Sequence, residues 1–159
     1  MIHYNPQKKE LLHQKNILAI DYGDKVTGLA LFRCGSDPFP TIYDRILMQK
    51  EDIFKKLHLI IIEEAIDVVL IGLPTYLDGN ESMQTKKVKE FKIGLSHFLE
   101  SKNILLDYFY QDETLSTQTA KDRMLASPEY QFKIDLQKID ALSALIILED
   151  FLAHPDFIK

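Results

Sequence analysis

An aspartate that directly follows a fully apolar run constrains this chain more than any other feature. Residues 17–20 read Ile-Leu-Ala-Ile, which is typical of a buried β-strand, and Asp21 stands where that run ends. Gly23 allows a tight turn, after which a second apolar run at 29–32 leads back. A carboxylate at the end of a central strand is costly unless it is paired, hydrogen-bonded or metal-bound. Asp21 is therefore either a turn-capping residue or a functional acid.

Apolar patterning along the chain predicts the element order β-β-β-α-β-α-β-α-α. The predicted strands cover 17–21, 27–33, 41–48, 67–71 and 104–110, and the predicted helices cover about 50–65, 82–100, 116–126 and 136–152. An antiparallel three-strand meander followed by alternating helices and strands predicts an α/β fold. We expect a mixed five-stranded sheet in which two further strands are parallel and helices cover both faces.

Size, charge and cysteine content narrow the class of protein. The 159 residues suggest a polar N-terminal extension at 1–16 and a single domain at 17–159. Cys34 is the single cysteine, and no signal peptide or membrane span is predicted. We therefore expect a cytoplasmic protein without a membrane partner, as a monomer or weak homodimer. The net charge of -5 argues against non-specific coating of nucleic acid, but an acidic metal site in a nuclease is compatible with it.

A second acid, Glu113, lies just beyond the carboxyl end of the predicted 104–110 strand. Ligands of open α/β sheets gather at that edge, so a functional role is one interpretation. The other is that Asp112 or Glu113 caps the next helix or interacts with its dipole. Ser116 and Thr117 could already act as caps, which weakens the second interpretation.

A third acid, Asp140, begins a helical stripe that is otherwise small or apolar. Asp140, Ala144, Ile147 and Phe151 follow helical spacing and so share one face, which we expect to pack on the sheet. The alternative is a first-turn acid favoured by the helix dipole. Three acids that converge would repel one another unless divalent cations lie between them, and Mg²⁺ and Mn²⁺ prefer such oxygen ligands. Ions held in this way can activate water for phosphodiester hydrolysis.

Four short motifs in one order resemble the YqgF family of Holliday-junction-resolvase-like nucleases, which is also assigned to maturation of the 5′ end of the small-subunit ribosomal RNA precursor. The motifs are Asp21-Tyr22-Gly23 with Gly28-Leu29-Ala30, Gly72-Leu73-Pro74 with Asp78-Gly79, Asp112-Glu113 with Ser116-Thr117, and Ile139-Asp140-Ala141 with Ile146-Ile147-Leu148. The resemblance covers about residues 17–152. It implies a ribonuclease-H-like fold and a nuclease dependent on Mg²⁺ or Mn²⁺, with Asp21, Glu113 and Asp140 as catalytic residues and metal ligands.

Two departures from the family pattern open an alternative function. The family usually carries arginine at the positions of Val26 and Thr114, and neither residue can form the bidentate fork with which arginine binds phosphate. The segment before Asp140, often basic in the family, keeps Lys133 and Lys138. The alternative is therefore a catalytically weak or inactive protein that binds nucleic acid during ribosome assembly.

Other residues are candidates for contact with precursor ribosomal RNA or branched DNA. The candidate nucleic-acid-binding residues are Lys25, Lys86, Lys87 and Lys138, and the candidate loop residues near the site are Gly23, Gly72, Pro74, Asp78 and Gly79. For Lys86 and Lys87 a solvated helix face is the competing interpretation. Asp21-x-Gly23 followed by Thr27-Gly28 also resembles a phosphate loop of actin-like ATPases. Those proteins duplicate the domain, for which this chain is too short.

Overall fold

Runs of apolar residues build a mixed sheet at the centre of the computed structural model, which describes residues 5–75, 80–113, 115–154 and 156–157. In these ranges the strands are β1 (Asn16–Asp21), β2 (Val26–Arg33), β3 (Thr41–Leu47), β4 (Val68–Leu73) and β5 (Asp107–Asp112). The helices there are α1 (Pro6–Leu11), α2 (Ile53–Glu63), α3 (Met83–Glu100), α4 (Ser116–Leu125) and α5 (Ile139–Ala153), with a 3₁₀ turn at Pro128–Tyr130.

The strand order in the described sheet is β3-β2-β1-β4-β5. β2 pairs antiparallel with both β1 and β3, whereas β4 lies parallel to both β1 and β5. The predicted meander, the two parallel strands and the fold class are thereby confirmed. Because β1, β4 and β5 are mutually parallel, their carboxyl ends meet at one edge of the sheet, where ligands of such sheets bind.

Several predicted boundaries differ from the structure by a few residues, and those of β5 and α5 lie next to the site. β5 begins at Asp107 rather than at 104, because Ile104 still donates its N–H to Leu99 O at the end of α3 (2.9 Å). α5 begins at Ile139 rather than at 136, because the Asp135 carboxylate accepts a hydrogen bond from the N–H of Gln137 (2.9 Å) and so stabilises a turn before the helix. β5 also ends at Asp112 rather than at 110, so Glu113 directly follows it, and Asp140 is the second residue of α5.

Each face of the sheet has its own apolar core. Ile17 and Ala19 of β1 pack toward α4 and α5, whereas Leu18 and Ile20 pack toward α2 and α3, and all four are fully buried. Side chains alternate between the faces along a strand, so Asp21 lies on the same face as Ile17 and Ala19. The last residue of β1 therefore points to the side of the sheet that α5 covers.

Helix α5 is buried around most of its circumference because the sheet, α4 and α1 all pack against it. Ala144, Ile147 and Phe151 are each fully buried, as the predicted stripe requires. At the other end of α5, the Asn5 N–H donates to Leu152 O (2.8 Å) and the Lys8 Nζ donates to Phe151 O (2.5 Å). None of the helices in the described ranges has the length and apolar character that crossing a membrane would require.

Candidate active site

Asp21 is positioned by the pairing of β1 with β2. It stands opposite Gly28 in the antiparallel register, at the last residue of β1. A Cβ on Gly28 would lie only 2.0 Å from the backbone oxygen of Asp140. Only glycine therefore allows the first turn of α5 to lie directly on the sheet, beside Asp21.

Glu113 is positioned by the step from β5 into α4. Its N–H donates to Leu73 O (3.3 Å), which extends the parallel ladder by one residue, and its carbonyl accepts from the Ser116 N–H (2.9 Å). Its carboxyl lies over Gly72, where an added Cβ would come within 2.9 Å of Glu113 Oε2 and 2.6 Å of Ile147 Cδ1. Gly72 therefore makes room for both side chains at the carboxyl end of β4.

The carboxyls of Asp21 and Glu113 meet closely enough to share a hydrogen bond. Burial raises the pKa of Glu113 well above its ordinary value, and the negative charge of Asp21 and their hydrogen bond raise it further. Burial also raises the pKa of Asp21, while the hydrogen bond from Glu113 offsets part of that effect. The pair therefore retains a proton, with Glu113 as the donor.

Asp140 lies in the first turn of α5, close enough for its negative charge to raise the pKa of Asp21. Burial raises its own pKa, and the positive charge of Arg45 offsets part of that rise. The structure thus brings the three predicted acids to one edge of the sheet, with Asp21 and Glu113 in contact and Asp140 as their neighbour. No ion pair to any of the three acids occurs within the described residues.

The donor chemistry of this edge fits a divalent cation. Two desolvated carboxyls in contact can both ionise only when a positive charge compensates them, and carboxylate oxygens are the preferred ligands of Mg²⁺ and Mn²⁺. In the described part of the chain, however, no three His, Cys, Asp or Glu side chains are arranged as a ready set of metal ligands. The preformed element is therefore the Asp21–Glu113 pair, with Asp140 as the nearest further donor.

The predicted lysines do not all remain available for a ligand. Lys87 Nζ lies 3.2 Å from Asp24 Oδ2, an exposed ion pair that joins α3 to the β1–β2 turn. Lys25, Lys86 and Lys138 are exposed, and Lys138 immediately precedes α5 and lies 6.0 Å from the centre of the Tyr130 ring. Lys25 and Lys138 flank the acids in sequence, whereas Lys86 and Lys87 stand on α3, across the sheet from α5.

The remaining predicted loop residues lie at the same edge or outside the described ranges. Gly23 is in the β1–β2 turn, where its N–H donates to Thr27 Oγ1 (3.4 Å). Pro74 directly follows β4, and its carbonyl accepts from the hydroxyl of Thr85 in the first turn of α3. Asp78, Gly79 and Thr114 lie outside the described residues.

Arg45 is a site neighbour that the sequence did not indicate. It stands opposite Gly28 on β3, so Asp21, Gly28 and Arg45 form one row across three strands. Its charge acts on Asp140. The only signal that could have revealed it is the register of β3, which depends on a bulge between Leu29 and Ala30 that the sequence does not mark.

A sheet of this order, with acids at the carboxyl ends of β1 and β5 and at the start of the last helix, defines the ribonuclease-H-like class of folds. RuvC from T. thermophilus, solved in complex with a Holliday junction substrate, shares this fold with a TM-score of 0.51. That match covers 84% of this chain and 91% of the RuvC chain at 8% sequence identity, so it supports the fold alone. Nucleases of this fold generally depend on divalent metal ions.

The chain belongs to the RuvX family, described as Holliday junction resolvase, whose sequence profile matches residues 15–154. A protein of Malacoplasma penetrans named "Putative pre-16S rRNA nuclease" is 34% identical over 140 residues, which is 86% of this chain and 93% of that protein. A protein of the same name from Lawsonia intracellularis is 35% identical over 136 residues, 85% of this chain and 91% of its own length. The resemblance to the YqgF nucleases is confirmed, and nucleases are hydrolases of phosphodiester bonds.

Proposed function

We propose that this chain is a divalent-metal-dependent endonuclease that hydrolyses phosphodiesters in the 5′ region of the small-subunit ribosomal RNA precursor. The observation that carries the proposal is the contact between the carboxyls of Asp21 and Glu113 at the carboxyl edge of the sheet, without a cation partner among the described residues. The names of the two relatives supply the substrate class. In this proposal the protein acts in the cytoplasm on nucleic acid, as a monomer or weak homodimer.

Asp21, Glu113 and Asp140 would hold Mg²⁺ or Mn²⁺. Bound there, the ions supply a water of lowered pKa and stabilise the leaving oxygen of the phosphodiester. Asp21 reaches the centre of the site from β1, while Glu113 and Asp140 approach it from β5 and α5. Both Asp21 and Glu113 would have to be ionised to act as ligands, so metal loading would be favoured by rising pH.

Two exposed lysines next to the acids would position the substrate. Gly28 and Gly72 bring the acids together at this edge, because the first turn of α5 packs directly over Gly28, and Ile147 and the Glu113 carboxyl pack over Gly72. Lys25 and Lys138 are exposed and lie close to Asp21 and Asp140 in sequence, so they would contact the phosphates of a strand bound there. Such contacts position a nucleic acid strand without reading its sequence.

The alternative is a nucleic-acid-binding assembly protein with little or no catalysis. It is favoured by one observation, namely that the described residues hold no ready three-residue set of metal ligands. Val26 adds to this, because its side chain cannot bind phosphate. In that case Asp21 and Glu113 would remain a protonated pair at working pH.

Cleavage of a radiolabelled 5′ precursor fragment of the ribosomal RNA tests the proposal, with a four-way DNA junction as the competing substrate. Wild type, Asp21→Asn and Asp107→Asn are compared in Mn²⁺, in Mg²⁺ and in EDTA. Asp107 begins β5 at the opposite edge of the sheet and is exposed, so its substitution removes an equal charge away from the acids. Circular dichroism establishes that each variant is folded.

Metal-dependent cleavage of the RNA that Asp21→Asn abolishes and Asp107→Asn retains would support the proposal. Cleavage of the junction alone would overturn the ribosomal substrate and assign the activity to branched DNA. If folded wild type cut neither substrate in either metal, the assembly protein would be the better description.

A further inference from the structure

Arg45 stands on the same side of the sheet as the three acids. Neighbouring residues of a strand point to opposite faces, and Ile46 belongs to the core on the α2 and α3 side. Arg45 therefore faces α5, as does Asp21 at the other end of the row through Gly28. Between them, the backbone of Asp140 in the first turn of α5 packs directly on Gly28, so Arg45 is next to the start of α5.

The guanidinium of Arg45 has no close partner in the described part of the chain. Its backbone N–H donates to the Asp44 carboxyl (2.7 Å), but its side chain makes no ion pair or hydrogen bond there, and the residue is only partly buried. The other two arginines are both engaged: Arg33 pairs with Glu64 and Asp37, and Arg123 with Glu149 (2.5 Å). Of the three arginines, Arg45 is therefore the one whose guanidinium has no ion pair or hydrogen bond among the described residues and can bind a ligand.

Position 26 is a diagonal neighbour of Arg45 on the same face. Val26 pairs with Leu47, two residues beyond Arg45 on β3. Diagonal residues on one face of an antiparallel pair lie about 7–8 Å apart, which is within reach of long side chains. A guanidinium on position 45 and one on position 26 can therefore occupy overlapping space on the face of the sheet that α5 covers.

We propose that Arg45 is a phosphate-binding residue of the site, and that its guanidinium holds the nonbridging oxygens of a phosphodiester of the RNA beside the carboxylates. The assignment rests on the proposed function. In it, Arg45 supplies the guanidinium that Val26 cannot supply. The guanidinium fork matches two phosphate oxygens, and one positive charge beside three acids lowers the repulsion that a phosphate would meet. Because the contact exists in the bound ground state, its loss affects substrate binding first.

Affinity for the 5′ precursor RNA, measured by fluorescence anisotropy over a series of salt concentrations, tests this assignment. All proteins carry Asp21→Asn, so that cleavage is blocked and only the second substitution differs. Arg45→Gln removes charge and fork, Arg45→Lys keeps the charge, and Val26→Arg combined with Arg45→Ala moves the guanidinium to the diagonal position. Lys55→Gln is the matched control, because Lys55 is exposed on α2 across the sheet.

Arg45→Gln is expected to weaken binding about tenfold or more and to reduce the slope of log affinity against log salt by about one. Arg45→Lys should keep that slope with weaker binding, Val26→Arg with Arg45→Ala should restore slope and affinity, and Lys55→Gln should change neither. In proteins with Asp21 intact, Arg45→Gln should raise KM more than it lowers kcat. A residue with a purely structural role would change the melting temperature instead of the salt slope.

The assignment is overturned if Arg45→Gln keeps the affinity and the salt slope of Lys55→Gln. The two proposals fail separately. Wild-type cleavage with an unchanged slope would reject only the role of Arg45. A reduced slope without wild-type cleavage would reject the nuclease and leave Arg45 as a phosphate contact.

Discussion

The shared proton of Asp21 and Glu113 links the chemistry of the site to the stability of the protein at the scale of single residues. Both carboxyls leave water on folding, and neither gains a cation among the described residues, so the folded chain holds protons that the unfolded chain releases. Metal-free protein is in this respect destabilised by its own site. A bound divalent cation reverses the effect because it binds the ionised pair.

The pH dependence of stability should therefore have a definite sign. The ordinary pKa values are 3.8 for Asp21 and 4.5 for Glu113, and both are raised on folding, so the folded state binds more protons above these values. The free energy of unfolding of metal-free protein should fall as pH rises from about 5 to about 8. Glu113→Gln removes one of the two carboxyls whose pKa is raised on folding, so it should flatten this decline by about 1–2 kcal/mol. Urea unfolding at a series of pH values measures the difference.

Asp107→Asn serves as the comparison, because Asp107 is exposed and its substitution should leave the decline unchanged. Addition of Mg²⁺ should flatten the decline for wild type but not for Glu113→Gln. Parallel curves for wild type and Glu113→Gln in metal-free buffer would show that the two carboxyls do not share a proton.

At the scale of elements, two glycines set how closely α5 and Glu113 approach the sheet. A Cβ at Gly28 would overlap the backbone of Asp140, which cannot move without shifting all of α5. A Cβ at Gly72 would meet the ends of two side chains, Ile147 Cδ1 and Glu113 Oε2, which can rotate. Backbone overlap is the more severe of the two because no rotamer change relieves it.

Gly28→Ala should thus destabilise the protein more than Gly72→Ala. We expect a loss of at least about 3 kcal/mol for the first and about 1–2 kcal/mol for the second, since overpacking costs depend on how far the neighbours can yield. Gly72→Ala should nevertheless lower cleavage strongly, because it displaces the Glu113 carboxyl. Thermal unfolding measures the loss of stability in each variant, and cleavage rates measure the loss of activity. Equal destabilisation of the two variants would contradict the direct packing of α5 on β2.

The element order from β1 onward and the three acids could be predicted from the sequence, but α1 and the exact placement of the acids could not. Asp21 was predictable because four buried residues precede it and the strand is central. Glu113 and Asp140 were placed on the right elements, whereas the boundaries of β5 and α5 differed because local turn hydrogen bonds at Ile104 and Asp135 end or delay regular structure. Arg45 could not be found, since cross-strand register is a tertiary property.

At the scale of the whole molecule, the site belongs to an acidic chain. The net charge of -5 already counts the three acids as ionised, and it repels nucleic acid from the protein as a whole. Lys87 is paired with Asp24, whereas Lys25, Lys138 and Arg45 remain available near the acids within the described residues. Binding of a polyanion is therefore expected to depend on divalent ions as well as on these side chains.

This charge balance predicts that one substitution changes RNA affinity only when metal is present. In EDTA, Glu113→Gln should bind the precursor RNA about as tightly as wild type, because the proton on Glu113 already removes one negative charge from the pair. In Mg²⁺, Glu113→Gln should bind more weakly than wild type, by about two- to fivefold, because it would hold poorly the ions that neutralise the charge between the protein and the phosphates.

Asp107→Asn removes one negative charge at the far end of β5 and should bind slightly more tightly than wild type in both buffers. Fluorescence anisotropy measures all three proteins in each buffer. Equal affinities of wild type and Glu113→Gln in Mg²⁺ would mean that Glu113 does not contribute to a metal site.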